Sequence, residues 1–400
     1  MNILAIETSC DETALSIIQT DSFDTPTPNF KVLADLVISQ IDIHAEYGGV
    51  FPALAKREHA KNLAPLLEQT LKQANLYTHT QQNDEGPTFV IEDKDEVKGI
   101  LEREPELYDA LIKLLSSIET PPIDMIMVTY GPGLAPALWV GVNFARALSV
   151  LWNIPIVPVN HMEGHIASIL LKENYLDQTE ALLPLDSFQF PMLSLLISGG
   201  HTQLVLVKHW GEYEIIGETI DDAVGEAFDK VARMLGMEYP GGPKISQAAQ
   251  QGQEHELVSL PRPMITSGDY RFSFSGLKTS VRYLIEDLKE KDLYNDQMIA
   301  DIAREFQYAV TEVLVKKTCA AVEAYDVQGL IIAGGVSANT FITESFKETM
   351  NTYNIPVYLP EKKMCGDNSL MIAVAGFINY WKNKKTTPHD EVVAVGNLKL

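Results

Sequence analysis

The chain carries one order of apolar and amphipathic segments twice, and this duplication restricts its fold more than any other feature of the sequence. In each half, three short apolar runs with the character of strands lead into alternating helical and strand-like segments. The predicted strands are residues 3–7, 13–19, 32–38, 125–129 and 155–159, then 193–197, 203–207, 214–216, 329–333 and a segment near Val357. A doubled order of this kind predicts an α/β chain with two lobes, each built on a βββαβαβα unit.

The predicted architecture resembles that of the actin-like ATPases and sugar kinases, in which a cleft between two lobes holds the nucleotide. We expect an N-terminal lobe over residues 1–165 and a C-terminal lobe over residues 166–400, with the last helix packed back on the N-terminal lobe. Residues 75–122 do not fit the repeat, because a polar stretch and a mixed-charge run interrupt it. We expect them to form a surface insertion with one or two helices.

The amino-acid composition and the net charge restrict the kinds of molecule that the chain can bind. The chain has 46% apolar and 21% charged residues, which is ordinary for a globular protein. Its formal charge of −23 opposes polyanions, so a nucleic-acid substrate requires a local basic patch or a partner subunit. Three scattered cysteines give no disulfide framework, and we interpret no segment as a signal peptide or a membrane span. These features predict a cytoplasmic protein with no membrane partner.

Two histidines, His161 and His165, stand four residues apart on a predicted short helix. Residues at this spacing lie on one helix face, about one turn apart, so both imidazoles can reach one metal ion. Asp367 comes late in the chain, just before an apolar helix, and is either a helix cap or a third metal ligand. Two imidazoles and one carboxylate leave coordination positions open, as a metal that acts as a Lewis acid requires.

Two glycine-rich turns stand where backbone amides can meet an anion. Ser198, Gly199 and Gly200 lie between two predicted strands, and this pattern suits either an anion site or a plain hairpin turn. The turn that ends at Asn339 follows a buried strand and opens a helix, which is the usual place for a ligand at the end of a strand. Asn339 itself suits either a bond to a base or ribose or the role of helix cap.

These segments together resemble one family closely, the tRNA N6-adenosine threonylcarbamoyltransferases, formerly called O-sialoglycoprotein endopeptidases. The matching blocks stand in the order of the family and extend over most of the chain. They are residues 6–13, 44–50, 131–134, 161–165, 196–203, 221–230, 239–243, 272–278, 334–339 and 367–368. The insertion after Asn75 is unusual for bacterial members, although the chain otherwise resembles a bacterial cytosolic one.

The resemblance implies a specific reaction and a specific site. A threonylcarbamoyl group would pass from threonylcarbamoyl-AMP to N6 of adenosine 37 in tRNAs that read codons beginning with A, with release of AMP. One divalent metal per chain, Fe2+ or else Zn2+, would be held by His161, His165 and Asp367. Asp11 and Glu12 would face the phosphate and the metal, and either is a candidate to accept the proton of the amine. The residues implied to bind the nucleotide part of the substrate are Leu196, Ile197, Ser198, Gly199, Gly200, Asp229, Gly242 and Asn339.

The resemblance also implies two protein partners, an inactive paralogue of the TsaB type and a small ATPase of the TsaE type.

The sequence disfavours three other functions. In H-E-x-x-H zinc peptidases the general-base Glu directly follows the first His. Here Glu163 lies two residues after His161, about 200° around the helix, which disfavours a metallopeptidase. A non-catalytic nucleotide-binding scaffold is disfavoured because the His–His–Asp set is intact, and a sugar kinase because no segment indicates a sugar pocket.

Overall fold

A computed structural model of the chain describes residues 1–24, 30–80, 91–172, 174–177 and 181–400. The elements of the first half are β1 (Asn2–Glu7), β2 (Glu12–Thr20), β3 (Phe30–Ser39), α1 (Ile41–Ala45), α2 (Pro52–Gln73), α3 (Ile91–Ile100), α4 (Pro105–Leu115), β4 (Met125–Gly131), α5 (Ala135–Trp152), β5 (Ile156–Asn160) and α6 (His161–Ala167). Those of the second half are β6 (Met192–Ile197), β7 (Thr202–His209), β8 (Glu212–Glu218), α7 (Val224–Met234), α8 (Gly241–Ala249), α9 (Ser275–Glu290), α10 (Asp296–Tyr325), β9 (Leu330–Ala333), α11 (Thr340–Tyr353), β10 (Val357–Tyr358) and α12 (Ser369–Asn383).

The two halves contain sheets of the same topology. The first sheet has the strand order β3-β2-β1-β4-β5, and the second has β8-β7-β6-β9-β10. In both, the first three strands are antiparallel and the last two run parallel to the first strand. The predicted fold class is therefore confirmed: the chain is α/β with a duplicated βββαβαβα unit, the arrangement of the actin-like ATPase and sugar-kinase fold.

The contacts group the chain into two compact units. Unit 1 contains residues 1–44, 50–187 and 367–400, and unit 2 contains residues 45–49 and 188–366. The last helix, α12, belongs to unit 1, where it packs on β1, β5 and α6. Residues Ile3, Leu4, Ala5 and Ile6 of β1 are all fully buried, as expected for a central strand that is covered on both faces.

The predicted insertion contributes two helices to unit 1. The helix α4 packs on α2, and α3 packs on α5. Leucines at the spacing of one helix face, Leu107, Leu111 and Leu114, turn α4 toward the core of the unit. Residues 81–90 of the insertion lie outside the part of the chain that the structure describes.

Unit 2 has its own core, in which α7, α9 and α10 contribute apolar side chains such as Phe228, Leu277 and Phe306 against β6 and β7. Across the described ranges of both units, no helix combines the length and the apolarity that crossing a lipid bilayer requires.

Candidate metal centre and its surroundings

Three side chains of unit 1 converge on one point. The Nε2 atoms of His161 and His165 lie 3.4 Å and 3.2 Å from Oδ1 of Asp367. One donor atom from each residue lies within 4.8 Å of the other two. His161 is 6% exposed and His165 is fully buried, while Asp367 is half-buried. The structure therefore brings together the three residues that the sequence predicts as metal ligands.

Two helix starts hold these ligands in place. His161 begins α6 directly after β5, and Oδ1 of Asn160 caps that helix by accepting from the backbone N of Met162 at 2.9 Å. Asp367 precedes α12, whose cap is Asn368. The alternative expectation that Asp367 caps this helix is wrong, because Oδ1 of Asn368 accepts from Met371 N at 2.9 Å instead.

The glycine between the two histidines lets the two helices approach. A Cβ atom on Gly164 would lie 3.0 Å from Cδ1 of Ile372 and 3.0 Å from Cγ of Met371, both on α12. This is closer than ordinary van der Waals contact, so a side chain at residue 164 would require the side chains of Ile372 and Met371 to shift by a few tenths of an ångström. The small residue thus allows α6 to pack closely on α12, the helix that follows Asp367.

His161 has further support behind it. Its Nδ1 lies 3.1 Å from Oε2 of Glu7 and 3.2 Å from Oγ of Ser9. Glu7 is fully buried and accepts from Ser9 N and from Thr129 Oγ1, each at 2.5 Å. A carboxylate behind a metal-binding histidine fixes the ring and its tautomer and makes the facing nitrogen a better ligand.

The electrostatics of the cluster suit a bound cation. Burial lowers the pKa of His161, but the carboxylates of Asp367 and Glu7 outweigh burial and hold this pKa well above its usual value. Burial likewise opposes the charge of Asp367, yet His161 and His165 keep the pKa of this carboxyl well below its usual range. Neither ring nitrogen of the buried His165 makes a well-formed hydrogen bond with the described residues. A divalent metal with two imidazole ligands and one carboxylate fits this donor set.

The turn between β1 and β2 carries two more carboxyl groups toward Asp367. Asp11 is 7% exposed and Glu12 is half-buried. Burial raises the pKa of Asp11, and Asp367 adds to the rise. Burial, with Asp367 and Asp11 nearby, raises the pKa of Glu12 to about 9. Like charges this close favour neutral forms or a counter-cation.

Glu163 does not join the cluster. Its Oε2 accepts a hydrogen bond from Nδ2 of Asn379 on α12 at 2.6 Å. Burial raises the pKa of this carboxyl. The side chain is thus engaged with α12, as its position around the helix predicts.

The remaining predicted residues lie in unit 2, at the end of β6 and in the turn after it, on α7 and α8, and at the start of α11. Gly199 and Gly200 form the tip of the β6–β7 turn, where a Cβ atom on either would meet nothing within 4 Å. A Cβ atom on Gly225, at the start of α7, would lie 2.6 Å from the carbonyl O of Ser198, so α7 rests directly against this turn. The side chains of Leu196 and Ile197 are fully buried, which leaves only their backbone atoms for a ligand.

Asn339 is a helix cap in the structure. Its Oδ1 accepts from Ile342 N at 3.2 Å, and its Nδ2 donates to Ser246 Oγ at 2.9 Å and to Gln307 Oε1 at 3.1 Å. It lines a cavity of about 480 Å³ within unit 2.

Asp229 holds the start of α8, because its Oδ1 accepts from Gly241 N at 2.7 Å, and burial raises its pKa. Gly242 is the second residue of this helix and half-buried.

Sequence reasoning missed the support behind His161, namely Glu7, Ser9 and Thr129. One signal for it was present, because Glu7 is a carboxylate directly after an apolar strand run. A buried carboxylate requires partners, and here they are two hydrogen-bond donors and an imidazole.

Comparison with known proteins identifies the family. The sequence model of the family described as "TsaD: tRNA N6-adenosine threonylcarbamoyltransferase" matches residues 31–80 and 102–374. A curated relative with that name from Nitrosomonas eutropha is 40% identical over 98% of this chain and 96% of its own length. Another from Thermosipho africanus is 38% identical over 100% of both chains.

A more distant likeness exists among solved structures. The activator of the 2-hydroxyisocaproyl-CoA dehydratase from Clostridium difficile aligns over 96% of this chain and 95% of its own, with a TM-score of 0.45 and 11% identity. A likeness this distant carries no argument about function. On the sequence matches, the chain belongs to the tRNA N6-adenosine threonylcarbamoyltransferase family and is a tRNA-modifying transferase.

Proposed function

We propose that the chain transfers the threonylcarbamoyl group of threonylcarbamoyl-AMP to N6 of adenosine 37 in tRNAs that read codons beginning with A, and releases AMP. The observation that carries this proposal is the convergence of His161, His165 and Asp367 beside the Asp11–Glu12 turn, in a chain of this family. The proposal extends to a direct transfer without a covalent enzyme intermediate, in the cytoplasm.

The metal in this proposal is Fe2+, with Zn2+ as the alternative, held by Nε2 of His161, Nε2 of His165 and a carboxylate oxygen of Asp367. When bound, a divalent metal supplies a Lewis acid for an oxygen of the substrate. The residues of the chain prepare its place. Glu7 and Ser9 orient His161 from behind, and Gly164 allows α6 to pack closely on α12, the helix that follows Asp367.

The N6 amine of adenosine is a weak nucleophile, because its lone pair is delocalised into the ring, and it must lose a proton during transfer. Asp11 and Glu12 are the two candidates to accept it. Burial, with Asp367 and Asp11 nearby, raises the pKa of Glu12 to about 9 in the metal-free chain, which opposes its role as the base there. We assign the role of acceptor to Asp11, the more deeply buried of the two.

Two cysteines are the candidates for a covalent route, and their surroundings oppose it. Burial, with Asp11 beside it, raises the pKa of the Cys10 thiol well above its usual value. Burial also raises the pKa of Cys365. Because the thiolate is the nucleophile, a thiol that resists ionisation is a poor one. The adenylate already carries a good leaving group, so direct attack by the amine requires no such intermediate.

The nucleotide part of the substrate is assigned to unit 2. The open Ser198–Gly199–Gly200 turn suits the phosphate or the transferred group, because both glycines are exposed and a side chain on either would meet no atom within 4 Å. Asn339 borders the 480 Å³ cavity and suits the base. Asp229, which accepts a hydrogen bond from the first residue of α8, and Gly242 in the first turn of that helix are assigned to the ribose. Backbone atoms of Leu196 and Ile197 complete the set.

Partners are part of the proposal, because the charge of −23 leaves the chain poorly suited to hold a polyanion alone. We assign this role to an inactive paralogue of the TsaB type and a small ATPase of the TsaE type.

The alternative function of a metallopeptidase would need Glu163 as its general base. The side chain of Glu163 is instead hydrogen-bonded to Asn379.

The test is a reconstituted reaction with an unmodified tRNA that reads codons beginning with A and threonylcarbamoyl-AMP, with and without the two partners. Nucleoside analysis of the tRNA is expected to show threonylcarbamoyladenosine and an equal amount of AMP, with efficient turnover only when the partners are present. A tRNA that reads codons with another first base is the matched control and is expected to remain unmodified. AMP release without modified tRNA would contradict the proposal.

A further inference from the structure

The turn that carries Asp11 is held by its carbonyl groups, one after another. The carbonyl O of Ser9 accepts from Leu134 N at 2.7 Å, and that of Asp11 accepts from Gln40 N at 3.0 Å. Between them, the carbonyl O of Cys10 lies 3.0 Å from Nε2 of His59, a fully buried side chain of α2. Of these three contacts to the carbonyl groups, the one to Cys10 is made by a side chain and the other two by backbone amides. The proposed reaction gives His59 no role.

His59 is one end of a chain of buried hydrogen bonds. Its Nδ1 lies 2.8 Å from Oγ1 of Thr13 and 3.3 Å from Nε2 of Gln40. Oε1 of Gln40 lies 3.2 Å from Nε2 of His44, and Nδ1 of His44 lies 3.3 Å from the backbone N of Phe51. Thr13, Gln40, His44 and His59 are each at most 1% exposed.

The backbone groups at the two ends fix the direction of every bond in this chain. Phe51 N–H can only donate, so Nδ1 of His44 accepts and its Nε2 carries the hydrogen that Oε1 of Gln40 receives. Nδ1 of His59 then accepts, from the hydroxyl of Thr13 at 2.8 Å and from the amide nitrogen of Gln40 at 3.3 Å. The carbonyl of Cys10 can only accept, so the hydrogen of His59 is on Nε2. The directions deduced from Phe51 and from Cys10 therefore agree. At every hydrogen bond along this path, one donor faces one acceptor.

We propose that His59 is a positioning residue for the transfer: in its neutral Nε2–H form it fixes the Cys10 carbonyl and so sets the place of Asp11 and Glu12. We call the path from Phe51 through His44, Gln40 and His59 to Cys10 the turn relay. The inference rests on the proposed function, because it assigns the turn a part in the reaction. Burial lowers the pKa of His59 to about 4, in keeping with a neutral ring.

A carboxylate that must meet a substrate amine tolerates little displacement, since a misplacement of about 1 Å can cost on the order of 10²-fold in rate. Loss of the His59 donor frees the Cys10 carbonyl, which lies next to Asp11 in the chain. The metal ligands are untouched, because His59 contacts none of them among the described residues. The relay therefore acts on the rate of transfer and not on metal content.

The experiment combines kinetics with nitrogen NMR. In the reconstituted reaction, His59→Leu is expected to lower kcat on the order of 10²-fold, with the KM for threonylcarbamoyl-AMP and the metal content unchanged. His59→Gln, whose amide can donate in place of Nε2–H, is expected to recover most of the rate. Gln40→Met, which removes one of the two donors to Nδ1 of His59 with little change of size, is expected to slow transfer less than His59→Leu and gives a second measure if His59→Leu does not fold.

Thr70→Ala is the matched control, because Thr70 is also fully buried on α2 but its hydroxyl donates to Leu66 O within the same helix. It is expected to leave kcat unchanged.

Nitrogen NMR of the wild-type chain at pH 8 tests the tautomers. The imidazole nitrogen signals of His44 and His59 are expected to show the hydrogen on Nε2, and each signal is assigned by its loss when that histidine is replaced.

The outcomes separate the inference from the function on which it rests. A wild-type chain that transfers nothing would overturn the proposed function. An active wild type with an equally active His59→Leu, or a Thr70→Ala variant as slow as His59→Leu, would overturn the positioning role alone. Nδ1–H signals for His59 would overturn the turn relay whatever the kinetics.

Discussion

The β1–β2 turn of unit 1 and the β6–β7 turn of unit 2 occupy the same place in the duplicated fold, yet they differ in burial and in the space around them. Thr8, Ser9 and Asp11 of the first turn are at most 7% exposed. In the second turn, Gly199 and Gly200 are exposed and would have room for a side chain.

The difference shows how one supersecondary unit serves two purposes. The first turn is held by bonds to its carbonyls and carries carboxyl groups, so it can present charge at a fixed place. The second turn has exposed glycines with open space around them, so it has room for a ligand. Duplication supplies two equivalent positions, and the side chains decide which becomes rigid and which becomes open.

The largest effect is expected from the carboxylate of the rigid turn. Asp11→Asn keeps the size of the side chain but cannot accept the proton of the amine, and we expect transfer to slow by about 10²- to 10⁴-fold. Adenylate affinity is expected to be unchanged. Single-turnover kinetics with calorimetry checks both, and equal slowing by a substitution in the open turn, such as Ser198→Ala, would remove the contrast between the turns.

Acid is expected to weaken the rigid turn through His59. The folded-state pKa of about 4 lies below the ordinary value of 6.5, so unfolding takes up a proton between these pH values. Stability linked to His59 is therefore intact above pH 6.5 and falls by about 3 kcal/mol as the pH drops to 4. Denaturant unfolding of wild type and His59→Gln across this range measures the difference. Parallel pH profiles for the two proteins would contradict the buried neutral ring.

Gly200 in the open turn and Gly225 of α7, which packs against this turn, form a matched pair. Gly200→Val is expected to leave stability within about 0.5 kcal/mol, because a Cβ there meets nothing, but to weaken adenylate binding by about tenfold, or 1.4 kcal/mol. Gly225→Ala places a Cβ 2.6 Å from Ser198 O and is expected to cost about 1–3 kcal/mol of stability. Melting curves and calorimetry distinguish the two. Unchanged adenylate affinity in Gly200→Val would place the ligand elsewhere.

The sequence predicts the strands of both units closely, because their apolar runs are short and bounded by turn residues. It also predicts His161 and His165 as a pair, since helix geometry alone brings residues four apart together. Asp367 came from the family resemblance, as local reasoning left a helix cap open, and the structure gives that role to Asn368.

The supporting residues were beyond sequence reasoning. Glu7 stands behind His161 although 154 positions separate them, and His59 bonds to Cys10 across 49 positions. Contacts of this range depend on how α2 and α6 pack on the sheet, which no periodicity encodes. The same holds for Gly164, whose role is visible only once α12 lies against α6.

The central claim is that His161, His165 and Asp367 hold one divalent metal that transfer requires. The most direct measurement is metal analysis of the anaerobically purified chain beside His161→Ala/His165→Ala, with nucleoside analysis of tRNA from the same preparations. We predict one metal per wild-type chain and modified tRNA, and in the double variant neither metal nor transfer while the fold survives. Full transfer by the metal-free double variant would contradict the account.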